Sequence, residues 1–486
     1  MSIPSYSSLY KGIFSVSLLQ TTGFRDAGFQ PYLNTGTLLD IQTGAFVPGV
    51  HGGMVLNGGL STTNAVIGRE QMFKSTELFS YTVRAMQWYP KSSCLVFDTE
   101  YAQKKDRLMH FSGFTDMDEF DKRMIITTPA EVTAEDFFDQ LKKMATYKIA
   151  HADEFMVDSP IVDLRTGKPL RMWIPTFVVY DSWSKMTSGH VQSTLDSKVL
   201  GSSDTNMIFM KDGMIKKMML SQLPRLATTA GIYFMLSAHV GNKYELNPYA
   251  QTPKGLPNMK ASDKLKEVGS DFNFLMSNNI EMRKVHGLLD PDKHCLYPSL
   301  GGSDAELCEV TSVMLRGKNN MSGTTLPLVV SQMGGIQSEL SNYHYLRENG
   351  YFGLIGNKTT HKPAMTDVSI SRNTVRQKVT DPKVAHAIEL LAQLCYIQNN
   401  WVVPSTSEVD FLMKPEDLAE KLLGSDSPSM TDVLESRSTW TYDKTNTQPY
   451  LSLYDVLAIA QGVYKAKGIA LSGFGVTKPV SSKKAA

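Results

Sequence analysis

The amino-acid sequence predicts an α/β protein whose core is a mostly parallel sheet flanked by helices. Two observations lead to this prediction. Between residues 41 and 337, short apolar runs that end in polar, glycine-containing segments alternate with helical patterns. The clearest runs, at 63–67, 93–97, 176–180 and 231–237, are rich in β-branched or aromatic residues. Such alternation is typical of parallel strands that are joined by crossover helices.

The 486 residues are enough for two or three domains. Residues 1–40 are rich in Ser, Tyr and Gly and are predicted to form an N-terminal arm or cap. Residues 41–337 form the predicted α/β core. Residues 338–486 are predicted to form a C-terminal α+β domain, with helical patterns at 386–397 and 454–466.

Charge and cysteine content exclude several classes of protein. Lys and Arg total 49 and Asp and Glu total 48, so a polycation that coats duplex DNA is excluded, whereas a local DNA-binding groove is not. The four cysteines are scattered without a CxxC pair, which predicts neither a disulfide scaffold nor a zinc module and favours a cytoplasmic location. No apolar run approaches the roughly 18 residues of a membrane span, so no membrane partner is expected.

A phosphate-binding pattern follows the first of the clear strand runs. The pattern is G-x-x-x-x-G-K-[ST], and residues 68–75 satisfy it at every position except Phe73. Lys74 would supply charge to the β- and γ-phosphates, Ser75 would bind Mg²⁺, and a helix over 75–89 would place its N-terminus at the phosphates. The pattern thus predicts that ATP and Mg²⁺ bind here. The segment, called the phosphate loop below, consists of Gly68, Arg69, Glu70, Gln71, Met72, Phe73, Lys74, Ser75 and Thr76.

Phe73 is a departure with a structural consequence. The usual glycine lets the backbone pass close to the phosphates. A phenylalanine is expected to fit only if its φ is negative, as in most residues, and its ring points away from the ligand. The alternative interpretation of the segment is an ordinary strand–turn–helix connection without a ligand.

Further polar side chains follow the other strand runs. They are Asp98 and Glu100 after 93–97, Asp181 after 176–180 and His239 after 231–237. Ligands of open α/β sheets bind at the carboxyl ends of the strands, so these side chains are candidates for one site. Each has a structural alternative as a cap or a hydrogen-bonded core residue, and Asp98 in particular can satisfy nearby backbone amides.

Several segments together resemble the RecA-type recombinases. They are 38–50, the phosphate loop, 89–100, 173–182, 230–239 and the Met-Gly-Gly-Ile that begins at Met333. The resemblance is strongest to the branch from large tailed phages, which also carries Phe-Lys-Ser in the loop. It covers most of residues 38–337 but not 103–170, 242–300 or the C-terminal third.

The resemblance implies a RecA-like P-loop ATPase core with a defined set of site residues. Glu100 would be the general base that orients the attacking water, with Lys74 as the second catalytic residue. Asp181 would hold Mg²⁺ together with Ser75. His239 would sense the γ-phosphate and move a DNA-binding loop.

Other implied residues act on a neighbouring copy or on DNA. The strand-like runs 309–315 and 325–331 predict a hairpin, and Arg316 and Lys318 lie between them. These two residues would reach the ATP of the next copy. The alternative is that they belong to a solvated hairpin tip. DNA would bind loops at about 184–206 and 241–268. The second loop carries four candidate lysines, which could also be merely solvated: Lys254, Lys260, Lys264 and Lys266.

The implied function is that of a DNA-dependent ATPase that forms helical homo-oligomers on single-stranded DNA. It would promote pairing and strand exchange with homologous duplex DNA in phage recombination, repair and replication. The implied setting is the cytoplasm of an infected cell, with a phage single-strand-binding protein and a loader as further partners. Two alternatives stay open: a hexameric helicase or other ring ATPase, and a catalytically inactive DNA-binding relative.

Overall fold

A ten-stranded, mostly parallel sheet forms the centre of the molecule and has helices on both faces. The computed structural model describes residues 30–479 except 113, 165, 190, 192, 194–204, 244–255, 270, 300–306, 320–321, 404–406, 427 and 474–476. The predicted α/β class with a mostly parallel sheet flanked by helices is confirmed.

The described chain contains twenty strands and fourteen α-helices. In chain order the strands are β1 (Ala45–Pro48), β2 (Met54–Asn57), β3 (Thr63–Gly68), β4 (Ser93–Asp98), β5 (Met124–Thr127), β6 (Met156–Val162), β7 (Pro169–Trp173), β8 (Thr176–Asp181), β9 (Ile232–Asn242), β10 (Asp263–Leu265), β11 (Asn278–Gly287), β12 (Leu307–Gly317), β13 (Thr325–Ser331), β14 (Gly335–Ile336), β15 (Leu354–Gly356), β16 (Thr360–Pro363), β17 (Ile370–Ser371), β18 (Pro449–Tyr450), β19 (Gly468–Leu471) and β20 (Thr477–Pro479). The helices are α1 (Leu38–Thr43), α2 (Lys74–Trp88), α3 (Lys105–Ser112), α4 (Met117–Arg123), α5 (Ala134–Ala150), α6 (Ala152–Phe155), α7 (Thr205–Ala230), α8 (Phe272–Leu275), α9 (Ser338–Glu348), α10 (Val375–Lys378), α11 (Pro382–Asn400), α12 (Pro415–Leu423), α13 (Met430–Glu435) and α14 (Leu453–Ala460).

The order of the sheet brings the carboxyl ends of the parallel strands to one edge. Strands β5, β4, β8, β9, β3 and β11 are parallel neighbours in that order, and β12, β13 and β14 continue the sheet antiparallel. Gly68 at the end of β3 lies level with His239 of β9, and Asp98 lies level with Asp181 across β4 and β8. The candidate side chains therefore share one end of the sheet.

The four strand runs are confirmed, although one is longer than expected. The run at 231–237 becomes β9, which continues to Asn242 because β10 folds back and pairs antiparallel with residues 240–242. His239 therefore lies within a strand and not after it. The predicted hairpin is confirmed as β12 and β13. The helical pattern at 454–466 ends earlier than expected, at Ala460, since Gly462 adopts a φ of 69° that favours helix termination.

Alternating residues of the buried strands face two separate hydrophobic clusters. In β8, Phe177 and Val179 belong to one cluster, whereas Val178 and Tyr180 belong to the other. Helix α2 and much of the C-terminal third cover the first cluster, and helices α5 and α7 cover the second. A sheet that is covered on both faces explains why its strands are almost continuously apolar.

Residues from the C-terminal third pack directly on the sheet and its helices. The guanidinium of Arg437 lies 3.5 Å from the centre of the Trp88 ring, and the rings of Trp440 and Tyr89 meet edge to face at 5.2 Å. The hydroxyl of Tyr450 accepts a hydrogen bond from the backbone N–H of Leu56. Leu33, just before α1, belongs to the same cluster, so both ends of the described chain contribute to it.

Among the helices that the structure describes, none combines the length and apolar character needed to cross a bilayer.

Lys148, near the end of α5, is a buried lysine with neutral partners. Its side chain is 2% exposed, and Nζ donates to the Ile174 carbonyl at 2.8 Å and to Thr176 Oγ1 at 3.1 Å. Burial lowers the pKa of Lys148 to about 7. Because a lysine in the unfolded chain has a pKa of about 10.4, folding disfavours the proton at this site.

We therefore expect the free energy of unfolding to rise with pH because of Lys148. Between pH 7 and 9.5 this contribution should amount to about 3 kcal/mol, and it should be absent from Lys148→Met. The measurement is urea unfolding of both proteins across that range, with the exposed Lys142→Met as control. Parallel pH profiles for wild type and Lys148→Met would contradict the prediction.

Candidate active site

The phosphate loop lies at the carboxyl edge of the sheet, between β3 and helix α2. Gly68 ends β3 where the backbone of β11 passes close by. A Cβ at this position would lie 3.0 Å from the carbonyl oxygen of Met282, so a side chain here would crowd the neighbouring strand. Helix α2 begins at Lys74 and points its N-terminal amides at the loop. The strand, loop and helix order that the pattern predicted is confirmed.

The conformation of the loop corrects the expectation for Phe73. Its φ is 57° and the φ of Gln71 is 61°, so two residues in the left-handed conformation flank Met72. The predicted negative φ of Phe73 is therefore wrong. The ring packs, partly buried, against the hydrophobic cluster that α2 covers. Alternating left-handed residues turn successive N–H groups into one concave face, a geometry that binds anions.

Lys74 is buried and held by the loop itself. Its ammonium donates to the carbonyl oxygen of Arg69 at 2.7 Å. Burial lowers the pKa of Lys74, and the carboxylates of Glu100 and Asp181 oppose part of that shift. An anion that entered the loop would favour the charged ammonium further and would compete with the Arg69 carbonyl for it.

Asp181, the last residue of β8, accepts hydrogen bonds from three side chains. Its side chain is 1% exposed. Oδ1 accepts from Ser75 Oγ at 3.1 Å and from Ser237 Oγ at 2.6 Å, and Oδ2 accepts from Gln103 Nε2 at 2.8 Å. Burial raises the pKa of Asp181, so a nearby cation would favour its ionised form. The Ser75 hydroxyl and this carboxylate are oxygen ligands of the kind that Mg²⁺ prefers.

Glu100 and His239 form a direct pair across the same edge. Nε2 of His239 lies 2.7 Å from Glu100 Oε1. This hydrogen bond is the main reason why the pKa of Glu100 is lowered, and the charge of Lys74 adds to the effect. Glu100 is therefore ionised at neutral pH, as a general base must be. Asp98 accepts from the backbone N–H groups of Glu100 and Gln103 at 3.1 and 2.9 Å, which is the structural role considered for it.

The phosphate loop, Glu100 and His239 line one cleft of about 310 Å³, and Asp181 lies behind its wall, hydrogen-bonded to Ser75. Its wall also includes Arg107 of α3, which the sequence analysis missed. The Arg107 guanidinium donates to Thr76 Oγ1 at 2.7 Å and lies 4.9 Å from the centre of the Phe111 ring. Burial lowers the pKa of this half-buried arginine. The cleft is lined by residues 70–76, Glu100, Arg107 and His239.

Ser237 and Gln103 were also missed as partners of Asp181. The sequence offers a weak signal for Ser237, because it interrupts an otherwise apolar strand run. Gln103 and Arg107 lie in the segment without a recognisable pattern, so only the fold reveals them.

Arg316 and Lys318 do not line the cleft. In the register of the sheet, Arg316 of β12 lies opposite Asn279 of β11, and Asn279 lies opposite Ala65 near the beginning of β3. The two cations therefore lie toward the opposite end of the sheet from the phosphate loop. The Arg316 guanidinium donates to the Asn273 carbonyl at 2.8 Å and lies 5.6 Å from the centre of the Phe274 ring. Their action on the ATP of another copy stays a prediction.

The candidate DNA-binding lysines lie on a segment that folds back beside the phosphate loop. Lys260, Lys264 and Lys266 are exposed, and Lys264 belongs to β10. Lys254 lies outside the described residues, as do residues 194–204 of the other predicted DNA-binding loop. The three described lysines could contact a ligand without unfolding the segment.

Comparison with known proteins provides no family assignment. The chain matches no protein-family model, and no curated protein matches it. The chemistry at this edge of the sheet is nevertheless distinctive. It combines a loop with a concave face of N–H groups, a buried lysine, two oxygen groups of the kind Mg²⁺ prefers and an ionised glutamate, which are groups that phosphoryl transfer to water can use.

The left-handed φ of Phe73 can be tested with two substitutions of similar size. Asn tolerates this backbone region, whereas the β-branched Thr resists it. Both replacements are polar and lose the ring with its apolar contacts, so their difference reports mainly the backbone. We expect Phe73→Thr to be less stable than Phe73→Asn by about 1 kcal/mol in denaturant unfolding. Equal stability, or a more stable Phe73→Thr, would contradict the left-handed conformation.

Proposed function

We propose that the protein is an ATP-dependent DNA recombinase of the RecA type that resembles the phage recombinase UvsX. It would hydrolyse ATP in filaments on single-stranded DNA and promote pairing with homologous duplex DNA. The observation that carries the proposal is the convergence of Lys74, Ser75 and Glu100 in one cleft at the carboxyl edge of the sheet, with Asp181 hydrogen-bonded to Ser75 directly behind it. The resemblance over residues 38–337 supports the DNA-related part.

Nucleotide binding would use the loop and the start of helix α2. The N–H groups around Gln71 and Phe73 would donate hydrogen bonds to the phosphates, together with the N-terminal amides of the helix. Lys74 would exchange the Arg69 carbonyl for a phosphate oxygen. Ser75 and Asp181 would hold Mg²⁺, which neutralises charge on the phosphates when bound.

Hydrolysis would depend on the ionised carboxylate of Glu100. In its ionised state it can accept the hydrogen of a water molecule and direct that water at the γ-phosphate. His239 donates to Oε1 of the same carboxylate at 2.7 Å, so it helps to set the orientation of Glu100 toward the water. Movement of β9 would change the access of water to Glu100. In this proposal, His239 links hydrolysis to the segment after β9.

Copies of the chain would complete the site in the filament. Arg316 and Lys318 lie toward the amino end of β3, so head-to-tail stacking could bring them to the phosphate loop of the next copy. Two cations at that position would stabilise the charge that develops on the γ-phosphate. The exposed Lys260, Lys264 and Lys266 are available to the DNA backbone.

The proposal is tested by ATP hydrolysis with and without single-stranded DNA. We expect DNA to stimulate turnover, and Lys74→Ala and Glu100→Gln to reduce it by about a hundredfold or more. Glu100→Gln should still bind ATP, because the carboxylate acts on water and not on the nucleotide. Lys105→Ala, which removes a surface cation on α3 that pairs with Asp121, is the matched control and should keep wild-type turnover.

Electron microscopy of the same mixtures separates the alternatives. Helical filaments on DNA support the recombinase, and closed rings favour a helicase. Absence of turnover, with DNA binding unchanged in Lys74→Ala, would leave an inactive DNA-binding protein.

Arg107 provides an independent test of the nucleotide cleft. Because its half-buried guanidinium faces the site beside Thr76, we expect Arg107→Gln to weaken binding of a fluorescent ATP analogue about tenfold. Arg123→Gln is the control, since Arg123 is a half-buried arginine that donates to backbone carbonyls outside the cleft. An Arg107→Gln protein with wild-type affinity would remove this residue from the site.

A further inference from the structure

Arg69 extends out of the phosphate loop and bridges two strands. Its guanidinium donates to Asp263 Oδ1 at 2.8 Å and to Asn242 Oδ1 at 2.8 Å. The Asp263 side chain is 2% exposed, whereas that of Arg69 is 45% exposed. Asp263 also accepts from Ser262 Oγ at 3.0 Å. A buried carboxylate requires a partner, so Asp263 holds the arginine more firmly than a surface ion pair would.

The two acceptors belong to adjacent strands. Asn242 of β9 and Asp263 of β10 are register partners, so one guanidinium spans the strand pair. The segment 256–266, which carries the three described lysines, is also tied to the site by its backbone, because the Lys266 N–H donates to the His239 carbonyl at 2.8 Å. Lys266 Nζ lies 3.6 Å from Glu70 Oε1, but both side chains are largely exposed, which makes this second contact weak.

The same arginine contacts Lys74 through its backbone. The Arg69 carbonyl accepts the hydrogen bond from Lys74 Nζ at 2.7 Å. Arg69 therefore has its side chain bound to the strand pair and its carbonyl bound to the buried lysine. A change in the position of β10 would be transmitted to the loop through one residue.

We propose that Asp263 is a positioning residue for the phosphate loop and that, through Arg69, it links nucleotide binding to the occupancy of segment 256–266 by single-stranded DNA. The inference rests on the proposed function and adds the contact through which the two ligands influence each other. By linkage, DNA that stabilises the paired β10 raises nucleotide affinity, and nucleotide raises DNA affinity by the same factor.

The experiment measures the factor by which DNA raises nucleotide affinity and the factor by which nucleotide raises DNA affinity. The probes are a fluorescent, non-hydrolysable ATP analogue with Mg²⁺ and a thymidine oligonucleotide, at one fixed salt concentration. We expect DNA to increase nucleotide affinity in the wild type by about tenfold. Asp263→Asn and Arg69→Gln should each reduce that factor at least threefold. The double variant should lose no more than either single variant, because both break one interaction.

Several variants distinguish positioning from a general structural role. Arg69→Lys should recover part of the factor, because an ammonium restores the charge and can donate to both acceptors, although its side chain differs from arginine in reach. Asp271→Asn removes the carboxylate that pairs with Lys217 on the surface and should behave as wild type. Arg69 is largely exposed, so Arg69→Gln keeps the test valid even if Asp263→Asn does not fold.

Retention of the wild-type factor in Arg69→Gln, or a lower melting temperature with an unchanged factor, would overturn the inference. A wild type that binds nucleotide without any response to DNA would overturn it as well. The proposed function fails differently: in that case the wild type does not bind the analogue, or Lys74→Ala binds it equally well.

Discussion

The buried carboxylate of Asp181 holds together the edge of the sheet on which the site depends. A charge that is removed from water must be compensated by hydrogen bonds, and here the donors come from three different elements. Ser75 belongs to helix α2, Ser237 to β9 and Gln103 to the segment before α3. The requirement to satisfy one carboxylate thus fixes the start of the helix relative to two strands, and with it the position of Lys74.

Much of the site could be predicted from the sequence because parallel strands bring their ends together whatever the loops do. Lys74, Ser75, Glu100 and Asp181 follow strands or a recognisable loop, and they meet as expected. Arg107 and Gln103 lie in a segment without periodicity, so their contacts follow from long-range packing. The same holds for the extension of β9, which depends on a strand more than twenty residues away. The left-handed Phe73 was missed because backbone conformation in a tight loop is set by its neighbours more than by residue type.

The sheet presents different chemistry at its two ends. Anion-binding and acidic groups lie at the carboxyl end of β3, whereas Arg316 and Lys318 lie toward its amino end. A molecule with complementary groups at opposite ends is suited to head-to-tail association, which produces open helices when the rotation does not close. The proposed filament would use this polarity, because each copy would add its Arg316 and Lys318 to the cleft of the next copy.

The shared hydrophobic cluster has a consequence for biosynthesis. Leu33 near the beginning of the described chain and Ile469 near its end contribute to the same cluster, together with Val66 of β3. During translation, the apolar face of the sheet that α2 covers cannot be fully buried until the C-terminal third has emerged from the ribosome. The nascent chain therefore exposes this apolar face until its C-terminal third has been synthesised, and apolar surface that is exposed in this way favours aggregation.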